Sequence, residues 1–399
     1  MKLTPRFVLL FILNVTALFA LISIYNVQGP GDGLISNYLY AQSIVSHQFH
    51  ANNINLTGTP ISGFIIGAII LLVPNIYYAL LIYLLILYFG FLAAIYNICK
   101  ALNIENTIAY AMLLNPFVIV FMFIVNSNQI LSAIFLILAI SYIIKDSVKS
   151  GVLMAFANLS GYITLLFLPA LLFMGDKKRV VVSYLLWLVP TALWLVYNNI
   201  AFGNPFASYA VALANALPSL GAHLYYDSVV SLLLYPLIYG IFFCVVYFIA
   251  RGYRTYGRIM NRPGITSFTL PDRTRFVSYL FVALAFISWL VLQPGGSAQY
   301  QSEFGSMIVV SILLVFAVLT GEIANRLGER FKIRISIAAL ALAIIVMLIF
   351  TYYYYTGITK ITTSYNVERS GSLYANASHE LVALNLSSCK IVSKNTHRR

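Results

Sequence analysis

Six side chains carry the acid–base chemistry of this chain away from its basic loops and its tail: Asp32, Asp227, Glu303, His47, His50 and His223. Asp32 lies in Gly29-Pro30-Gly31-Asp32-Gly33, which in its plainest reading is ordinary turn chemistry. The stretch that follows, Leu34 to Phe49, is amphipathic and carries Tyr38 and Tyr40, as suits a segment lying along a membrane interface. A carboxylate at that place would meet the headgroup of a lipid-borne substrate. Asp227 and Glu303 each open an expected helix, where negative charge favours the positive N-terminal end. The plain role of the histidines, including His379 and His397 in the tail, is that of surface or interfacial residues.

The elements that must hold these groups are membrane spans. The chain is 61% hydrophobic and 9% charged, with a mean hydropathy of +0.89, whereas a soluble domain is roughly 25% charged. Its 24 Lys and Arg residues fall in alternate loops or in the tail, which is the positive-inside pattern of a polytopic protein. The formal charge of +13 therefore sets orientation and meets anionic headgroups. No basic stripe interleaved with exposed aromatics points to nucleic acid. Cys99, Cys244 and Cys389 form neither a disulfide framework nor a metal-ligand spacing.

With Lys2 and Arg6 held inside, the first span, Phe7 to Tyr25, exits outward as a retained signal anchor. Asn26 to Asn75 is then external. Within it Ile61 to Val73, bracketed by Pro60 and Pro74, is shorter than the roughly 20 residues a span needs and reads as an interfacial or re-entrant helix. Ile76 to Cys99 returns, Thr107 to Val125 exits and Ile130 to Ile144 re-enters. Gly151 to Met174 must begin and end on one side, because Lys149 precedes it and Lys177, Lys178 and Arg179 follow. A hairpin of two half-helices turning near Gly161-Tyr162 meets that requirement.

Further spans are expected at Val180 to Ala201, Ser228 to Ala250, Phe276 to Leu292, Phe304 to Ala324 and Ile335 to Tyr355. The expected fold is an all-α polytopic membrane protein with about 11 transmembrane helices. Its N-terminus is cytoplasmic and its C-terminus external or lumenal, in a cell membrane or endomembrane. Residues 1–355 make the transmembrane domain and 356–399 a short external tail. Asn55, Asn376 and Asn385 head glycosylation sequons on the external side. Tyr352 to Tyr355 reads as an aromatic belt.

The chain resembles the GT-C class of integral membrane glycosyltransferases, which use polyprenyl-phosphate-linked sugars. The resemblance lies in Asp32 just after the first span with interfacial helices behind it. It continues in Leu114-Asn115-Pro116-Phe117, in the hairpin ending Leu168-Pro169-Ala170-Leu171-Leu172, in Phe202-Gly203-Asn204-Pro205-Phe206, and in the tail segment Leu381 to Asn395. It implies a sugar moved from a polyprenyl-phosphate donor to a glycan, lipid or protein acceptor on the external face, with Asp32 as the catalytic carboxylate. Displacement at an anomeric carbon needs a base for the incoming hydroxyl and stabilisation of the departing phosphate. Desolvation in a partly apolar crevice would raise the basicity of Asp32.

The departures from that class all remove charge. Gly31 and Gly33 flank Asp32 where many members carry a second acid, Gln129 stands where others have an acid, and Tyr162 where others have a lysine. Gln299-Tyr300 replaces an Arg-Tyr pair. Donors to a phosphate then come from His47, His50, His223, Gln299 and Tyr300, with Lys390 and Lys394 of the tail behind them. Histidine, with an ordinary pKa of about 6.5, serves best where the outside is acidic. No cofactor is certain; a divalent metal is compatible with the class, where the resemblance implies that Asp32 acts as the base or helps to hold the metal, although the usual paired-acid site is absent.

Two other readings come from different classes. A transporter or flippase for a lipid-linked or polar solute should show ionisable groups within its spans or paired broken helices, and only one broken hairpin is expected. A non-catalytic relative that binds a glycolipid or scaffolds a partner would explain the missing charges.

Overall fold

The computed structural model describes residues 4–30, 32–46, 60–102, 106–116, 118–119, 123, 127–209 and 329–364. Every regular element among them is a helix. In order they are α1 (Pro5–Gln28), α2 (Asp32–Val45), α3 (Pro60–Leu72), α4 (Ile76–Leu102), α5 (Asn106–Leu113), α6 (Ser127–Ile144), α7 (Lys149–Ser160), a 3-10 helix η1 (Tyr162–Phe173), α8 (Lys177–Phe202) and α9 (Glu329–Ser364). Among the described residues four stretches are long and apolar enough to cross a bilayer: Pro5–Asn26, Ile76–Ala101, Lys177–Phe202 and Ile333–Tyr353. The chain is an all-helical membrane protein.

The helices are held by apolar stripes of helical period. Leu13, Ala17, Ala20 and Ile24 of α1 are buried together with Leu340, Ile344 and Met347 of α9, each set recurring every three or four residues as one helix face requires. Their opposite faces carry exposed Phe11, Val15 and Phe19 on α1, and exposed Leu342, Ile345 and Ile349 on α9. Such apolar outer faces suit contact with lipid. Helix α6 is buried almost all round from Ile130 to Ile143, because α4 packs on one part of it and α7 on another.

One expectation needs correction. Thr107 to Val125 is not one continuous α-helix: α5 ends at Leu113, and Asn115 begins a new segment. The Asn115 amide donates to the Met112 carbonyl at 2.8 Å and its Oδ1 accepts from the Val118 N–H at 3.0 Å. Pro116 supplies the cause, since it lacks an N–H and disfavours helical backbone in the residue before it. Helix α9 runs on to Ser364, past the end of its candidate membrane span at Tyr353. The expected spans Ser228 to Ala250, Phe276 to Leu292 and Phe304 to Ala324 lie outside the described residues.

The broken hairpin is present. Helix α7 stops at Ser160, Gly161 takes extended backbone at φ −168° and ψ 107°, and η1 carries the chain back. The returning arm is 3-10 over 12 residues, long for that conformation, and includes Pro169, which has no N–H to give an α-helix. Tyr184 of α8 donates to the Leu168 carbonyl at 3.2 Å, answering one acceptor on that arm.

Candidate functional site

The two ends of the hairpin differ in chemistry. At the basic end, Asp146 follows α6 in the left-handed region, at φ 53°. The Ser147 N–H reaches the Tyr142 carbonyl at 2.9 Å and the Asp146 N–H the Ile143 carbonyl at 3.1 Å, which is the Schellman helix ending. The Asp146 carboxylate accepts from the Gly175 N–H at 2.6 Å, and its carbonyl accepts from the Arg179 guanidinium at 2.9 Å. Arg179 also pairs with Asp176 at 3.6 Å. Lys145 and Lys149 sit over the Tyr142 ring, 5.4 and 6.0 Å from its centre. Lys149 and Lys177 therefore flank one end of the hairpin, as the charge pattern requires.

Above this base α7 and α8 approach closely. Gly151 permits it, because a Cβ there would lie 2.1 Å from the Ser183 carbonyl oxygen. Ser150 and Ser183 share a hydrogen bond of 3.4 Å and both reach the Met174 sulfur. Asn158 lies seven residues beyond Gly151 on α7, so helical periodicity returns it to the stripe that faces α8. On α8 the answering stripe is Ser183, Trp187, Thr191, Trp194 and Asn198, at helical spacing.

The far end of this seam is polar and aromatic without charge. Leu159, Tyr162, Trp194 and Tyr209 form a buried cluster with Ile61, Tyr197 and Phe206 against it. The Tyr162 and Tyr209 rings are 4.8 Å apart, and Trp194 stacks on Tyr197 at 4.9 Å. The Ser208 hydroxyl donates to the Asn198 Oδ1 at 3.0 Å. Phe202-Gly203-Asn204-Pro205-Phe206 builds the return: Gly203 ends α8 in the left-handed region at φ 69°, and Asn204 accepts from the Phe206 N–H at 2.9 Å. That turn brings Ser208 and Tyr209 back onto the hairpin.

Among the described residues, several buried polar atoms in the seam have no hydrogen-bond partner: both amide atoms of Asn158, the Ser160 Oγ, the Trp187 Nε1 and the Asn198 Nδ2. Asn158, Ser160 and Asn198 are fully buried. Leaving such a group unmade in an apolar interior costs about 1–3 kcal/mol, so their concentration in one seam is informative.

Asp32 belongs to α2, the helix that carries Tyr40. The α1 helix ends at Gly29, whose φ of 77° is a glycine conformation. Asp32 then opens α2 instead of sitting inside the turn. Tyr25 donates to the Tyr77 carbonyl at 2.9 Å, and Tyr77 hydrogen-bonds Asn26, pinning the end of α1 to the start of α4. Helix α2 packs on α3, where Ser62 donates to the buried Asn37 at 3.3 Å. Gly63 leaves room for the Tyr40 ring, since a Cβ there would stand 2.5 Å from it. Burial, and then the nearby Tyr162 and Tyr197, push the Tyr40 hydroxyl well above its ordinary pKa, so it stays a neutral donor. Eight residues of helix put Asp32 about 12 Å from Tyr40 along the axis.

His47, His50, His223, Gln299 and Tyr300 lie outside the described residues, as do Asn55, Asn376 and Asn385. Gln129 is in the first turn of α6. No group of three or more His, Cys, Asp or Glu side chains that could hold a metal occurs among the described residues. The sequence reading passed over Asn158, Trp194, Asn198, Ser208 and Tyr209, although polar and aromatic recurrence every three or four residues on α8 was the available signal. Comparison of the chain with models of protein families, with curated proteins and with solved structures gives no match.

Proposed function

We propose that the chain is a GT-C-like membrane glycosyltransferase, with its N-terminus cytoplasmic, which moves a sugar from a polyprenyl-phosphate donor to an acceptor on the external face. What supports this reading is the place of Asp32 in the chain, at the start of a short helix that follows α1 directly. At such a place a carboxylate would meet a lipid-borne donor at the membrane face. Asp32 acts as general base on the acceptor hydroxyl.

The test is Asp32→Asn in protein purified with a polyprenyl-phosphate-sugar donor. The amide keeps the size and loses the base, so transfer should fall about 100-fold or more. Asp227→Asn, at an expected helix start, should cost about 0.3–1 kcal/mol of helix-end stabilisation and spare transfer. Full activity of Asp32→Asn would remove the assignment. The interrupted hairpin and its neutral seam favour, as a second reading, a carrier of a lipid-linked or polar solute. Solute uptake into proteoliposomes without transfer of sugar would decide for that reading.

A further inference from the structure

We propose that the far end of the α7–α8 seam is a binding slot for a neutral, hydroxyl-rich group, a sugar ring presented either free or as the headgroup of a glycolipid. The proposal deepens the reading above and rests on it for the role of the bound sugar, but binding and transfer can fail separately.

Three observations converge on this slot. The first is the set of buried groups that have atoms without partners among the described residues, at Asn158, Ser160 and Asn198. Together they offer amide donors, an amide acceptor, and a hydroxyl that does either. An acyl chain could answer none of them, whereas a ring of hydroxyls both donates and accepts. The second is the aromatic lining. Tyr162, Trp194 and Tyr209 are buried around Leu159, and aromatic faces pack well on flat apolar surfaces while keeping a polar edge. A sugar has that dual character, with C–H faces and hydroxyl rims.

The third is charge. From Gly151 to Ser160, from Tyr162 to Phe173 and from Val180 to Tyr209 there is no Asp, Glu, Lys, Arg or His. A phosphate or carboxylate entering there would be a buried charge without a partner, which is strongly disfavoured. The slot thus selects a neutral group and leaves any phosphate outside it.

The experiment uses the full chain in phosphatidylcholine nanodiscs. Trp289→Phe leaves Trp187 and Trp194 as the only indoles of a chain that has three, so emission reports on the seam. The protein is titrated with a methyl hexoside, with the corresponding hexuronate, and with a neutral monohexosyl diacylglycerol placed in the disc. A saturable emission change is expected with the methyl hexoside if the sugar is recognised free, or with the glycolipid alone if it is recognised as a headgroup. The hexuronate should bind at least about tenfold more weakly, as should either neutral ligand in Asn158→Leu, a loss corresponding to one good hydrogen-bonding group. Ser160→Ala, a milder change, should weaken binding severalfold and guards against misfolding of the first variant.

No saturable change with either neutral ligand would mean that the seam holds only water, and would overturn the proposal. So would hexuronate binding equal to that of the hexoside, or binding unchanged in both seam variants. Binding retained with no transfer under any donor would instead leave the slot and remove the enzyme.

Discussion

Asp146, at the basic end of the hairpin, has its carboxylate on Gly175 and its carbonyl on Arg179. Asn158, at the far end, is fully buried with both amide atoms unpaired. One hairpin thus contains a polar residue answered from two sides and another answered from none. The difference separates two uses of polar groups in a membrane protein. Groups that close a turn or lock neighbouring segments are satisfied by those segments. Groups kept for a ligand remain unsatisfied without it, and their cost is borne by the rest of the fold.

The comparison can be broken most violently at the point where the two helices nearly touch. Gly151→Leu would drive a side chain into the Ser183 backbone, where even a Cβ has 2.1 Å. Overpacking of this kind should cost about 3 kcal/mol or more, seen as loss of monodisperse protein on size-exclusion chromatography. A variant that melts like wild type would show that α7 and α8 are less closely packed than described.

Asp146→Ala should come next. It removes the bond to Gly175 and forces an alanine into left-handed backbone, together about 2 kcal/mol. Asp146→Gly sharpens the reading, because glycine accepts φ 53° and should recover about half of that loss. Equal destabilisation by the two changes would assign the whole effect to the hydrogen bond. Ser183→Ala is the mildest change at the satisfied end. It deletes contacts to Ser150 and Met174 and should cost about 1 kcal/mol in chemical unfolding.

Much of the described fold was legible in the sequence for identifiable reasons. Uninterrupted hydropathy located α1, α4, α8 and α9, because a helix in lipid must be apolar along its length. The hairpin was legible from charge: Lys149 and Lys177 at the two ends of one apolar stretch demand an even number of crossings, and Gly161 was the place to turn. Pro60 and Pro74 likewise framed α3. The interruption at Asn115-Pro116 was visible as a motif, but hydropathy averaged over a window passes through it. The 3-10 form of the returning arm had no comparable signal.

The candidate site was far less legible. Asp32 stood out because a lone acid in an apolar stretch is conspicuous, yet its place at the start of α2 depends on how Tyr25, Asn26 and Tyr77 fix the preceding turn. Asn158 and Asn198 are commonplace residues in sequence. What distinguishes them is amide atoms without a partner among the described residues, both on Asn158 and the Nδ2 on Asn198, which no spacing can show, and the return of Ser208 and Tyr209 through the Gly203 turn.

The most direct test of the difference between the two ends is the equilibrium unfolding of Asn158→Leu beside wild type in the same ligand-free lipid. If Asn158 is an unanswered polar group held for a ligand, leucine removes a desolvation cost and fills similar space, so stability should be unchanged or rise by about 1 kcal/mol. A loss of about 1 kcal/mol or more would mean that the Asn158 amide is answered within the fold, and that the two ends of the hairpin are built for the same purpose.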